Sequence, residues 1–198
     1  MSYVQRFPCP DAMLPPLSLS HPNNPEAMFY AENQGYSDVL CEVSVFKDKE
    51  LDVEVVELLG PQTRLVIPVR CELPFLVLQM KDLEKFCSVE VKVVDEEKAV
   101  RKIVLSTKLS TTRLAPRELH MPLVLKPGIW NHVCLDLADI LARAYGGSYQ
   151  YCKEVIVTAN VVVGRVFFED RPSEDVELPD FPRVIDDEEE DEEEEGEE

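Results

Sequence analysis

An all-β fold is what this sequence predicts: an antiparallel β-sandwich or jelly roll carrying one short α-helix at about residues 136–145. Three observations carry the prediction. Cys87, Val89, Val91 and Val93 alternate with Ser88, Glu90 and Lys92, so every second side chain falls on an apolar face. Short runs of the same kind recur along the chain with turn residues between them, the spacing of a two-sheet packing. One stretch, Leu119 to Tyr145, holds a turn, an alternating strand and a single capped helix.

Residues 1–35 differ in kind from the rest of the chain. Pro8, Pro10, Pro15, Pro16, Pro22 and Pro25 leave few ladder donors and resist helix, so the segment reads as a disordered, extended arm. It serves either to lie along a partner or as a loose terminus. Residues 36–183 form the expected sandwich. Val39, Cys41, Val43 and Val45 alternate with Leu40, Glu42, Ser44 and Phe46. Leu51, Val53 and Val55 alternate with Asp52 and Glu54, and Gly60-Pro61 marks a turn. Arg64 to Val69, Phe75 to Met80 and Val100 to Leu105 are further strand-like runs, the last entered from the acidic turn Asp95-Glu96-Glu97.

In the central stretch Pro127-Gly128 turns the chain. Ile129, Asn131, Val133 and Leu135 then share one face of a strand, and Trp130, His132 and Cys134 the other. Asp136 is placed to cap a helix whose buried stripe is Leu137, Ile140, Leu141 and Ala144, and Gly146-Gly147 ends it. The only tryptophan, Trp130, is expected where the two packed faces meet. Val155, Val157, Ala159, Val161 and Val163 share a later face, with Gly164 turning or bulging the chain into Val166 to Phe168.

The chain of 198 residues, 45% of them hydrophobic, is long enough for one sizeable core plus tails. Its net charge of −19 is concentrated: Asp186 to Glu198 holds 12 of the 39 acidic residues. The remaining 27 stand against 20 basic residues, a net charge of about −7 for an ordinary domain. Like charges at that density repel and bury nothing, so residues 184–198 are expected to be a disordered acidic tail. The tail reads as a solubilising extension, as a mimic of another acidic tail that competes for or folds back on a basic patch, or as a ligand for basic partners such as histones.

No basic-then-apolar opening signals secretion, and no apolar run reaches the length needed to cross a bilayer, so no membrane association is expected. Cys9, Cys41, Cys71, Cys87, Cys134 and Cys152 are scattered without a CxxC pair, which fits small core hydrophobes in a reducing, intracellular setting better than a disulfide framework.

The motifs of catalysis are thin. His132 and Cys134 lie two apart on one strand face, the spacing of a thiolate–imidazole pair but more usually of packing. There is no HExxH, GxSxG or P-loop pattern, no His/Cys cluster for zinc and no cofactor fingerprint, so the expectation is a protein that is not an enzyme and carries no cofactor. From Lys98 to Lys126 the charge is inverted: Lys98, Arg101, Lys102, Lys108, Arg113, Arg117 and Lys126 stand against Glu118 alone. Such a segment either docks on an acidic partner or forms solvated strand edges whose lysines block aggregation. Arg113 after the Ser110-Thr111-Thr112 run is placed to fork onto a carboxylate or to pin its own loop, and Arg143 on the helix suits a salt bridge or a contact equally. Nucleic acid is a poor partner because the acidic tail repels phosphate.

An ordered set of short motifs carries a resemblance. Leu73-Pro74-Phe75-Leu76-Val77, Ser110-Thr111-Thr112-Arg113, Met121-Pro122, Gly128 to Asn131, Arg143-Ala144-Tyr145-Gly146, Ala159-Asn160, Ser173-Glu174-Asp175 and Glu177-Leu178-Pro179 resemble the signature of the cilia- and flagella-associated protein 20 (Bug-twenty-two-like) family, in its order and nearly its spacing. The match spans roughly Val53 to Phe181. The Pro-rich arm and the acidic tail depart from the family pattern, which marks a divergent paralogue. The resemblance implies a β-sandwich structural protein of the ciliary or flagellar axoneme, cytoskeleton and basal body. It further implies a place at the inner junction of doublet microtubules, in contact with tubulin and a parkin co-regulated-type protein. Two other classes remain open: a nuclear or chromatin adaptor working through the tail, and a carbohydrate-binding sandwich using Tyr145, Tyr149 and Tyr151.

Overall fold

A computed structural model describes residues 5–8, 30–33, 42–60 and 63–172. In chain order the elements are β1 (Gln5–Pro8), β2 (Tyr30–Asn33), β3 (Glu42–Lys47), β4 (Glu54–Leu59), β5 (Thr63–Cys71), β6 (Phe75–Asp82) and β7 (Ser88–Asp95). There follow β8 (Val100–Ser106), β9 (Arg113–Leu114), β10 (Glu118–Pro122), β11 (Trp130–Asp136), α1 (Leu137–Tyr145), β12 (Tyr149–Thr158) and β13 (Val161–Glu169). They form two sheets, ordered β1-β3-β4-β13-β6-β11 and β2-β5-β12-β7-β8-β10-β9. The two-sheet architecture with one helix is the one the alternation predicts. Of the Pro-rich arm, β1 and β2 pair with β3 and β5 at sheet edges. The rest of that arm and the acidic tail lie outside the described residues, as does the start of the alternating run at Val39 to Cys41.

Pairing is antiparallel except between β8 and β10, which run parallel. The inward faces follow from the period of two. Val89, Val91 and Val93 of β7, Ile103 and Leu105 of β8, and Val155 and Val157 of β12 meet Leu76, Leu78 and Met80 of β6 and Val161 and Val163 of β13 in one core. Side chains of this size buried this fully contribute about 1.5–3 kcal/mol each. At Gly164 the register of β13 against β6 shifts, so that Val166 and Phe168, rather than Phe167, resume the inward face. Of the turn or bulge expected at Gly164 it is the bulge that forms, and it keeps both halves of the strand apolar on the correct side; the turn lies earlier, at Ala159-Asn160, so the single face expected from Val155 to Val163 is divided between β12 and β13 in different sheets.

The helix matches its sequence signals. Asp136 caps it by accepting from Asp139 N–H at 2.8 Å, and Gly146, at φ 71°, closes it by donating to Ala142 O at 2.9 Å. Leu137 and Leu141 are its buried stripe, with Ile140 and Ala144 partly buried beside them.

Trp130 does not occupy the junction between the sheets. It points out of the opposite face of β11 from Val133 and Leu135, into a separate small cluster with Leu51, Val55 and Val162. The reason lies in residues 48–53, which are a turn and not the start of a strand. Asp48 Oδ1 accepts from the N–H groups of Glu50 (2.8 Å) and Leu51 (3.0 Å), and Asp52 takes φ 53°. That turn folds Leu51 over the indole, whose Nε1–H donates to Asp48 at 3.3 Å.

Candidate partner-binding surface

On the outer face of β7, β8 and β10 the charges alternate and pair. Lys92 meets Glu154 and, at 3.9 Å, Glu90. Lys102 meets Glu118 at 2.8 Å and Glu90 at 3.7 Å, and His120 Nε2 lies 3.3 Å from Glu118. The hydrogen bond from Lys102 holds the Glu118 carboxyl below its ordinary value, and the same bond holds the Lys102 ammonium above its own. This lattice sets both ammoniums against three carboxylates and leaves no cation of it unmatched.

Arg101 is also engaged within the fold. It pairs with the buried Asp95 at 3.0 Å, donates to Pro116 O at 2.7 Å and lies 4.7 Å over the Tyr145 ring. It thereby ties the β9–β10 loop to the end of the helix. Arg143 forms the i,i+4 pair with Asp139 at 2.9 Å.

The remaining candidates are spread along β8 and beyond it. Its seven residues put its two ends roughly 20 Å apart at the usual strand rise. At the first end, Lys98 sits exposed in the β7–β8 turn with φ 63°. The β9–β10 hairpin adds Arg117 next to Lys102 near that end and Arg113 further along, level with Val104 through His120; both are exposed and without a side-chain partner among the described residues. Its loop is held to β8 by Lys102 N–H donating to Arg117 O at 2.9 Å. Between the arginines in sequence Leu114 is 57% exposed, and Val100 at the start of β8 is 44% exposed. The outcome is a cationic β9–β10 edge of the seven-stranded sheet with Leu114 exposed on its edge strand. At the other end, Lys108 lies 4.8 Å over the Phe86 ring. Lys126 belongs to a loop stapled by Asn131, whose Nδ2 donates to the carbonyls of Lys126 and Ile129, both at 3.0 Å.

Seven cations stand in one run of the sequence; the fold separates them into two engaged residues (Arg101 and Lys102), Lys98 in the β7–β8 turn, Arg113 and Arg117 along the edge, and Lys108 and Lys126 past the Ser106 end of β8. The strand β10 carries a signal that would have revealed part of this. Leu119 and Met121 pack on the core while Glu118 and His120 face out, an alternation five residues long.

The three tyrosines hold their own surroundings. Tyr149 donates to Cys71 O at 2.8 Å and Leu73 O at 3.1 Å, Tyr145 donates to Ala115 O at 3.3 Å, and Arg70 stacks 4.5 Å from the Tyr151 ring. Burial pushes the Tyr149 phenol well above its ordinary value. Cys71, Cys87, Cys134 and Cys152 are free thiols, and burial first, then the Asp82 charge, pushes Cys87 up to about 11. His132 and Cys134 do share the outward face of β11. Among the described residues no three His, Cys, Asp or Glu side chains converge as metal ligands would, and no helix is long and apolar enough to cross a membrane.

Comparison with known proteins bears on this surface. The CFA20 domain model matches residues 31–185. The chain is 36% identical over 141 residues to cilia- and flagella-associated protein 20 of Chlamydomonas reinhardtii, covering 67% of this chain and 74% of that protein. It is 33% identical to the Paramecium tetraurelia protein of the same name, over 67% of this chain and 73% of that one. The Caenorhabditis elegans protein is 32% identical over 67% of this chain and 69% of its own length. Among solved structures, the xyloglucanase domain of NopAA from Sinorhizobium fredii aligns with a TM-score of 0.43 at 8% identity, over 83% of this chain and 96% of that one. That likeness is too slight to carry an argument.

Proposed function

This chain belongs to the CFA20 domain family, whose curated relatives are cilia- and flagella-associated proteins, and on that footing we propose that it is a non-enzymatic structural protein of the axoneme. In this reading it binds tubulin at the inner junction of doublet microtubules, next to a parkin co-regulated-type neighbour, and its docking element is the β9–β10 edge. One observation supports the choice of edge: Arg113 and Arg117 are exposed, lack side-chain partners among the described residues, and bracket the exposed Leu114. Arginine beside an exposed apolar side chain is the composition of an interface centre. An acidic polymer surface is its electrostatic complement.

Each exposed pair contributes at most about 1 kcal/mol, so the contact raises association rate and sets orientation more than it sets affinity. The candidates Lys102 and Arg101 do not contribute in this reading, because their charges are already matched within the fold.

Co-pelleting with taxol-stabilised microtubules tests it. The wild-type chain sediments at low salt and is released as salt rises. Arg113→Glu with Arg117→Glu weakens binding by about tenfold or more while leaving the thermal midpoint unchanged, two lost contacts of about 0.7 kcal/mol each being enough. A wild-type chain that stays in the supernatant at low salt removes direct lattice binding from the account.

A further inference from the structure

Past the Ser106 end of β8, the β6–β7 connection, the end of β8, Pro127 and the β12–β13 turn enclose a cleft of about 680 Å³. That is the size of a site for a small molecule or for a few residues of a peptide. Its walls are pinned. Asn160 N–H donates to Phe86 O at 2.9 Å, Gly60 N–H donates to Asn160 Oδ1 at 2.9 Å, and Cys87 N–H donates to Thr107 Oγ1 at 3.1 Å. A cleft held in this way exists before any ligand arrives, and little ordering entropy is lost on binding.

Two features of the lining are unspent. Asp82 Oδ1 is shut from solvent and has no hydrogen-bond partner among the described residues. An acceptor withdrawn from water without a donor is unfavourable, and a ligand in the cleft that supplies the donor as the Asp82 carboxylate turns towards it relieves it. The Asp82 backbone is fixed in place, since its carbonyl accepts from Gly128 N–H at 3.3 Å. Phe86 is the second feature: 61% of it is exposed, the largest aromatic exposure on the described surface. The ammonium of Lys108 lies against that ring.

The charges arrange themselves in depth. Asp82 has its carboxylate oxygen buried, whereas Lys85 and Lys108 are exposed at the mouth and Glu84 stands exposed beside them. A ligand placing positive charge against Asp82 and neutral or negative charge at the mouth satisfies both layers. A polybasic segment does not.

We propose that this cleft captures a single lysine or arginine side chain from a neutral or acidic segment of a partner protein, the cation seated on Asp82 and its aliphatic stem against Phe86. The pairing is a charge-assisted hydrogen bond in a partly dry site, stronger than one on an open surface. No residue of β9 or β10 lines this cleft, and the proposal does not depend on what that edge binds.

The test is an amide-shift NMR titration of the full chain with N-acetyl-arginine methylamide, using the neutral citrulline analogue as control. The arginine probe is expected to shift the amides of Phe86, Ser88, Thr107 and Asn160 saturably in the millimolar range, and the citrulline probe to shift them little. Asp82→Asn should weaken the arginine probe by about tenfold, the cost of one charge-assisted bond. Phe86→Ser, a change at an exposed position, should weaken it too, and it decides the matter if Asp82→Asn does not give a native spectrum. Equal response to citrulline, retained binding in either natively folded variant, shifts that map elsewhere, or no shifts at all would each overturn the proposal.

Discussion

Removing the indole of Trp130 and crowding its seat should give coupled, not additive, losses. Trp130 is 4% exposed, packed with Leu51, Val55 and Val162 on the outer face of the six-stranded sheet. A tryptophan buries about 150–250 Å², worth roughly 4–6 kcal/mol at about 25 cal/mol per Å². Incomplete collapse around the vacated site and a compact unfolded reference bring the expected cost of Trp130→Ala to about 3–5 kcal/mol. For a chain of this length that lowers the thermal midpoint by roughly 6–20 °C. Gly164 forms the other side of the same contact. A methyl built there would stand 2.9 Å from Leu51 Cδ1 and 3.0 Å from Trp130 Cζ3, so Gly164→Ala should cost about 1–3 kcal/mol through overpacking. With the indole gone, the same methyl meets chiefly a flexible leucine end and fills part of the cavity. Gly164→Ala should then be neutral or mildly stabilising in the Trp130→Ala background. Urea unfolding of the four proteins closes the cycle, with an expected coupling of about 1–3 kcal/mol. Additivity to within about 0.5 kcal/mol would refute the close indole–glycine approach, and a midpoint for Trp130→Ala within a degree or two of wild type would refute the burial.

Arg101→Ala should cost about 3 kcal/mol in urea unfolding, because it strips the partner from the buried carboxylate of Asp95. Ala99 N–H at 2.7 Å still bonds that carboxylate, which keeps the loss at the lower end. Arg101→Lys should recover only part, since an ammonium cannot also fork onto Pro116 O and stack on Tyr145; a loss below about 1 kcal/mol would place Arg101 among ordinary exposed pairs. Glu118 should titrate below the usual glutamate range by carboxyl NMR, and Lys102→Met should move it back up. Because the folded pKa is the lowered one, the stabilisation from this pair is present above the ordinary carboxylate range and lost as pH falls through the folded value. A titration midpoint indifferent to Lys102 would contradict the lattice. Cys87 and Cys152, pushed up to about 11 and about 12 by burial, should resist alkylation until the chain unfolds, as read by peptide-resolved mass spectrometry; rapid native labelling of either would show the core to be open there.

Much of the fold is legible in the sequence wherever one physical rule acts alone. The alternation of β7 and the capped helix at Asp136 to Gly146 follow from local chemistry, and both stand in the structure. Rules fail where two compete. The apolar period of Leu51, Val53 and Val55 reads as strand, yet the Asp48 side chain captures two backbone N–H groups and makes a turn of its first half. Trp130 is apolar enough for the main core, but its place on β11 is set by pleat parity, and Leu135 and Val133 hold the inward phase. The basic run is visible in the sequence as composition only. Which cations are spent depends on partners brought opposite by strand pairing, Asp95 on Arg101 and Glu90 on Lys102 across the β7–β8 hairpin, and on a parallel pairing of β10 with β8 that no local signal announces. The cleft at Asp82 and Phe86 gathers residues from four separate segments, so it has no signature in any one of them.

The most direct test of the central claim is where the full-length chain sits in a ciliated cell, and whether the β9–β10 edge holds it there. A fluorescent fusion is expected to decorate the axoneme along its length and to resist detergent extraction. The Arg113→Glu, Arg117→Glu fusion, expressed to the same level, is expected to wash out. A wild-type fusion absent from cilia, or a double variant retained as firmly as wild type, would contradict the account.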